Sequence, residues 1–354
     1  MSAPDGAFAQ RIITWQRQHG RRDLPWQGTR DPYRVWLSEI MLQQTQVTTV
    51  LAYYPRFLQR FGDVQALAAA GEDEVLALWS GLGYYSRARL LHRCARQVVA
   101  DHGGQFPTRA VELSTLPGIG RSTAAAIAAF CFGERAAILD GNVKRVLARV
   151  FAIGDDLSQA APPRALWLRA EALLPHARLQ SAMPAYTQGL MDLGATVCLP
   201  RRPACARCPL ADVCQAAASG EPERFPVKRP RPARRAVALW LVQAIDAQGR
   251  IWLTRRPPRG IWASLHCLPA FESRAQALAT LPVGASAQVL EHPPFTHVLT
   301  HRDLHLHVLT AHVAGAALLD EHGAWQAPDQ WPALGLPAPV RRFLVSADPA
   351  RGGA

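Results

Sequence analysis

Apolar residues recur every three to four positions through the first 217 residues of this chain, with polar residues filling the intervals. The segments FAQRIITWQRQ (8–18), YRVWLSEIMLQQTQVTTVLAYYPRFLQRF (33–61), EDEVLALWSGLG (72–83), RARLLHRCARQVVADHG (87–103), RSTAAAIAAFCFG (121–133) and GNVKRVLARVFAI (141–153) carry this helical period. Gly, Pro and Asp fall between them, as in short helices joined by tight turns. After residue 220 the period changes. EPERFPVKRPRPARR (221–235) has the proline and arginine content of an extended linker. Beyond it AVALWLVQAID (236–246), GRIWLTRRP (249–257) and LHLHVLTAHV (304–313) alternate as strands do and are rich in β-branched and aromatic residues. The pattern predicts an all-α domain over residues 1–220, a basic linker at 221–235, a smaller α+β domain at 236–345, and a tail at 346–354.

Composition agrees with two soluble domains. The chain has 354 residues, 49% of them apolar, enough for two sizeable cores. Its first residues lack the basic-then-apolar pattern of a signal peptide, and no run approaches the twenty apolar residues of a membrane span. A reducing cytoplasm is the expected setting, where clustered cysteines bind metal more often than they form disulfides. The net charge of +12 suits a polyanionic partner, of which nucleic acid is the commonest.

Four of the seven cysteines lie in CLPRRPACARCPLADVC, at Cys198, Cys205, Cys208 and Cys214. Four soft thiolates can hold a tetrahedral zinc ion or one iron–sulfur cluster. Structural zinc sites usually use two Cys-x2-Cys pairs with a long connector. Here a single such pair sits in a compact loop stiffened by Pro200, Pro203 and Pro209, which favours a [4Fe–4S] cubane. Cys94, Cys131 and Cys267 lie within apolar patterns, as small core residues do. In LSTLPGIGRSTAAAIAAF (113–130), Gly118 and Gly120 precede a helix whose first N–H groups attract anions.

Two carboxylates stand out. Glu39 has Val35, Trp36 and Leu42 as helical neighbours, surroundings that raise a carboxyl pKa into the range of a general acid at neutral pH. Asp140 precedes apolar residues at 143, 146, 147 and 150; it reads as an N-cap without a capping box, ionised and able to face a pocket.

Taken together, the Cys-x6-Cys-x2-Cys-x5-Cys loop after a helical domain and the LPGIG turn resemble the endonuclease III and MutY group of DNA glycosylases. SEIMLQQTQV and LDGNVKRVL resemble its adenine-specific MutY branch. The resemblance implies a multidomain fold: an all-α helix-hairpin-helix glycosylase domain with an iron–sulfur loop, followed by an α+β Nudix-like domain. It implies excision of adenine paired with 8-oxoguanine or guanine in duplex DNA, by a monomer carrying one [4Fe–4S] cluster. The hairpin (about 113–130) would grip a phosphate through Gly118, Gly120 and Ser122, with a monovalent or calcium ion on its carbonyls. Glu39 would protonate the departing base and Asp140 would stabilise the cationic sugar, a pairing akin to glycoside hydrolysis. Leu24, Trp26, Tyr186 and Gln188 would form the adenine pocket. Gln44, Thr45 and Leu82 would contact the lesion, and Tyr84 would fill the stack when adenine is flipped out. Leu299, Thr300 and His301 would be the second domain's lesion loop, with Phe295 to His297 as a rival register. Bifunctional members attack the sugar with a Lys at the position of Ser122, so hydrolysis without lyase chemistry is expected. The rival readings are a pyrimidine-lesion glycosylase/lyase and a redox-sensing DNA-binding protein.

Overall fold

Helices dominate the first 220 residues, where apolar residues recur at helical spacing between turns, and the Asp31 and Asp140 side chains cap the helices that follow them. The computed structural model describes residues 5–156, 164–227, 233–282, 288–313 and 323–347. In chain order the helices are α1 (Asp5–His19), α2 (Pro32–Leu42), α3 (Val47–Arg60), α4 (Val64–Ala69), α5 (Glu72–Trp79), α6 (Ser86–His102), α7 (Ala110–Leu113), α8 (Arg121–Ile127), α9 (Gly141–Val150), α10 (Arg164–Ala172), α11 (Leu179–Thr196) and α12 (Gln215–Ala218). Asp31 caps α2 by accepting the Tyr33 N–H at 2.9 Å, with Pro32 as its first residue. The long apolar pattern of 33–61 is interrupted at Gln43–Gln46, where Gln44 takes a left-handed φ of 56°. No Gly or Pro signals that break.

Contacts divide the chain into two compact units, Met1–Ala69 with Leu90–Pro230 and Ala70–Arg89 with Arg231–Ala354. In the first unit α1 packs along α11, and α11 packs on α9. Their buried faces form one core that includes Ile12, Trp15, Val146, Leu147, Met183 and Leu193. Helix α8 runs into a π-helical turn, Ala128–Phe132, which ends at Gly133. Gly133 has φ 68°, and a Cβ there would lie 2.8 Å from the Gln180 backbone, so only glycine fits. The described start of the linker is not free chain: Val227 bridges to Asp156, and buried Arg149 donates to the Phe225 carbonyl at 3.0 Å. Residues 228–232 and 348–354 lie outside the described residues.

The second unit is built on a mixed sheet of β1 (Arg235–Ile245), β2 (Ile251–Arg255), β3 (His266–Cys267), β4 (Ala270–Phe271), β5 (Leu290–Glu291), β6 (Phe295–Val298), β7 (Arg302–His312) and β8 (Gly323–Gln326), with helices α13 (Arg274–Ala279) and α14 (Ala338–Ala347). The central order is β3-β2-β1-β7-β5. Strands β1 and β7 run parallel in register from Arg235 opposite Arg302 to Ile245 opposite His312, and the other pairings are antiparallel. Alternation along β7 buries Leu304, Leu306 and Val308 while His305 stays exposed. His305 and His307 have ordinary partners: Thr296 is 3.2 Å from His305, and His307 stacks on Trp240 at 4.1 Å.

Residues 70–89 are part of this second unit although their pattern continues that of the helical half. Gly335 lies against Leu76, leaving no room for a side chain. The Tyr85 hydroxyl donates to the Leu336 carbonyl at 3.2 Å and accepts the Ala338 N–H at 3.1 Å. Arg89 donates to the Ala263 carbonyl at 2.8 Å, and Glu72 pairs with Arg255 at 3.1 Å. Among the described residues no helix is long and apolar enough to cross a membrane.

Candidate active site

A cavity of about 450 Å³ opens in the first unit between the α1–α2 connection, α2 and one face of α11. Its walls combine the flat or apolar side chains of Leu24, Trp26, Val35, Leu42, Phe130 and Pro184 with polar ones, among them Glu39, Gln188, Arg21, Arg22 and Arg30. Trp26 is fixed edge-on to Tyr54, with ring centroids 5.5 Å apart. This size and lining suit a planar, partly polar ligand.

Glu39 projects from α2 and accepts no hydrogen bond from the described residues. Burial, reinforced by the negative charge of Asp140, pushes its carboxyl up to about 8, so it holds its proton at neutral pH. Asp140 caps α9, accepting the Val143 N–H at 2.7 Å and the Asn142 amide at 3.5 Å. Burial raises the Asp140 carboxyl as well, which N-capping alone did not lead one to expect; the Val143 and Asn142 donors and Arg145 oppose that rise. Arg145 also donates to the Asn142 side chain at 2.8 Å and to the carbonyls of Gly194 and Cys198 at 2.7 and 2.8 Å. Ser122 Oγ accepts the Leu139 N–H at 3.0 Å, bracing the strand-like approach to Asp140 from the start of α8.

Leu24, Trp26 and Gln188 line the cavity. Tyr186 does not. It is 2% exposed and packs edge-on against Phe8, in the core on the far side of α11. Two residues along a helix are about 200° apart, so Gln188 and Tyr186 cannot share a face. The pattern that does share the pocket face is Gln180, Ser181, Pro184, Ala185, Gln188 and Met191. Two residues not singled out from sequence complete the site: Arg21 on the cavity wall and Asp192 behind it. Asp192 is the only charged residue of α11 and stands four positions after Gln188, a signal present in the sequence.

The turn 81–84 is held in the second unit. Trp79 Nε1 donates to the Gly83 carbonyl at 3.1 Å, and Arg87 donates to those of Leu82 and Gly83 at 3.1 and 3.2 Å. Tyr84 takes a left-handed φ of 48° and is 43% exposed, a strained and displayed aromatic. Its hydroxyl lies 2.5 Å from Thr300 Oγ1. Leu299, Thr300 and His301 form the tip of the β6–β7 hairpin, whereas Phe295 to His297 lie within β6. Leu82 is 5% exposed, packed rather than displayed as placed. Gln44 is exposed at its left-handed turn, and Thr45 follows it half-buried. Gly118 has φ 76° and a Cβ there would meet Leu90 at 2.9 Å; Gly120 is the N-cap of α8.

Cys198, Cys205, Cys208 and Cys214 line one small cavity beside α9. Burial and the nearness of the other three thiols push Cys208 up to about 11, and burial raises Cys214. Four thiols lining one small cavity make a soft donor set that fits an iron–sulfur cluster. Arg149 points a guanidinium N–H at Cys198 Sγ, 3.3 Å away. Cys94, Cys131 and Cys267 are buried core residues.

Residues 37–169 match the HhH-GPD superfamily of base excision DNA repair proteins, 198–214 the iron–sulfur binding domain of endonuclease III, and 240–346 the NUDIX domain. The loop carries a [4Fe–4S] cluster on its four cysteines. The adenine DNA glycosylase of Homo sapiens is 45% identical over 228 residues, 62% of this chain and 41% of that one. A thermostable thymine-DNA glycosylase superposes with TM-score 0.54 at 31% identity, over 61% of this chain and 97% of that chain. A trapped endonuclease III–DNA covalent intermediate, 18% identical with TM-score 0.50 over 62% of this chain and 99% of that one, shares the fold. The adenine DNA glycosylase of Buchnera aphidicola (Schizaphis graminum) is 33% identical over 343 residues, 95% of this chain and 97% of that one. With a third of its positions shared along nearly the full length of both proteins, this chain belongs to the adenine DNA glycosylase family.

Proposed function

We propose that this protein hydrolyses the N-glycosidic bond of adenine mispaired with 8-oxoguanine or guanine in duplex DNA. The observation that carries the reading is a carboxyl held protonated to about pH 8 on the wall of a cavity lined by apolar and polar side chains, with a second carboxylate near enough to raise it. The duplex is bent and adenine extruded, with Tyr84 filling the stack and Leu82, Gln44 and Thr45 near the retained base. Adenine enters between Leu24, Trp26 and Gln188. Glu39 gives its proton to a ring nitrogen of the base as the C–N bond breaks, and Asp140 stabilises the positive charge left on the sugar. Water then adds its hydroxyl to the sugar carbon and returns its proton to Glu39. The cluster, when bound, braces the basic loop carrying Arg201, Arg202 and Arg207 and takes no part in bond cleavage. The hairpin at Gly118, Gly120 and Ser122 holds a backbone phosphate, with a cation on its carbonyls. The Leu299–Thr300–His301 tip reads 8-oxoguanine. The enzyme works as a monomer at the nucleoid.

Ser122 is committed to the Leu139 N–H and offers no amine, which supports hydrolysis over lyase chemistry. The test is excision from duplexes carrying A:8-oxoG, A:G or thymine glycol, read after alkali cleavage, with borohydride trapping in parallel. We expect cleavage of the first two, no trapped adduct, and loss of excision with retained duplex binding in Glu39→Gln. Thymine glycol as the preferred substrate, or full activity in the Gln variant, overturns the reading.

A further inference from the structure

Asp192 is fully buried, yet its carboxylate is saturated with donors. Arg21 gives it three: the backbone N–H at 3.0 Å, Nε at 2.7 Å, and a terminal guanidinium nitrogen at 2.7 Å. The fourth comes from Gln188, whose Nε2 lies 2.9 Å from Asp192 Oδ1. A carboxylate only accepts, so this contact fixes the carboxamide: its NH2 must face Asp192, and Oε1 is left to the cavity that Gln188 lines. Oε1 accepts no hydrogen bond from the described residues. Arg21 cannot relax this arrangement, because it holds the carboxylate by main chain and side chain together.

We propose that Asp192 is a positioning residue for substrate choice: it locks the Gln188 carboxamide as an acceptor toward the bound base. This rests on the cavity being the nucleobase site. Protonated Glu39 is a donor and Gln188 Oε1 an acceptor, so this pair asks for a base with a ring acceptor beside an exocyclic donor. Adenine presents this pair at N7 and its 6-amino group. Guanine and hypoxanthine present an acceptor, O6, where adenine has the donor. The fold alone does not make this choice, since a thymine-DNA glycosylase shares it.

The test measures single-turnover excision of adenine, unsubstituted purine and hypoxanthine opposite 8-oxoguanine by the full chain. Asp192→Asn is nearly isosteric, but its amide can donate, allowing the Gln188 carboxamide to turn over. The ratio of hypoxanthine to adenine excision should then rise about tenfold, the scale of one misdirected polar contact. The fall of activity with rising pH, set by Glu39, should stay in place. An unchanged ratio in folded Asp192→Asn, or an equal fall for all three bases, refutes the proposal. Should that variant not fold, Gln188→Leu decides. About tenfold loss of the preference for adenine over purine supports the proposal, because the acceptor is gone; a retained preference refutes it. Wild-type protein inactive on A:8-oxoG defeats the functional reading itself, an outcome distinct from either.

Discussion

At the scale of single residues, the protein keeps one acid from ionising. Glu39 titrates near 4.5 in an unfolded chain and is pushed up to about 8 in the folded one. The folded state therefore holds a proton that the unfolded state releases, and stability falls as pH rises through this window. The penalty is absent below the lower value and complete above the upper, on the order of 5 kcal/mol. Glu39→Gln should thus melt several degrees above wild type well above pH 8 and coincide with it below about pH 5, as read by thermal unfolding. Excision by wild type should decline through about pH 8 as the acid loses its proton. Equal melting temperatures at high pH would remove the buried-acid account. This much was legible from Val35, Trp36 and Leu42 around Glu39. Asp192 shows in the sequence as the lone charge of α11, but its role does not, because its donors come from Arg21, 171 residues away, and from a glutamine whose role depends on them.

At the scale of elements, α9 does two things with one residue. Asp140 ends the approaching strand-like segment, caps the helix through the Val143 N–H, and carries a charge that raises the Glu39 carboxyl. Asparagine caps a helix about as well as aspartate, so Asp140→Asn should change unfolding free energy by less than about 1 kcal/mol. Excision should nonetheless fall steeply, measured in single turnover. A large stability loss would show that the charge, not the cap, holds α9. Helical period placed α2 and α9 correctly, alternation placed β1, β2 and β7, and α11 was not among the segments it marked. What period does not give is rotation about the axis, which is how Tyr186 falls into the core while Gln188 meets the cavity. The Gln43–Gln46 break is hidden for a different reason: glutamine is a good helix former, and only a tertiary arrangement, with Gln43 reaching toward Thr123 at 3.4 Å, distinguishes the turn.

At the scale of the whole molecule, the order of segments along the chain differs from their grouping in space. Residues 70–89 are encoded among the helices but are enclosed by residues of the C-terminal half, at Ala263, His266, Leu336, Ala338 and Arg341. The Tyr84 turn, whose carbonyls are held locally by Trp79 and Arg87, is therefore packed against chain translated some 200 residues later. A protein cut after Val227 would retain every atom of that turn and lose its mould. Ser80, Tyr85 and Arg89 would face water, and amide exchange across 80–89 should accelerate by orders of magnitude relative to the full chain. Unaltered protection in the fragment would contradict this. On the proposed function, deleting residues 231–354 thus removes two things at once, the proposed reader of the lesion and the residues packed around the proposed wedge. A drop in discrimination after such a deletion can be assigned to the reader only when the wedge has been held in place by other means.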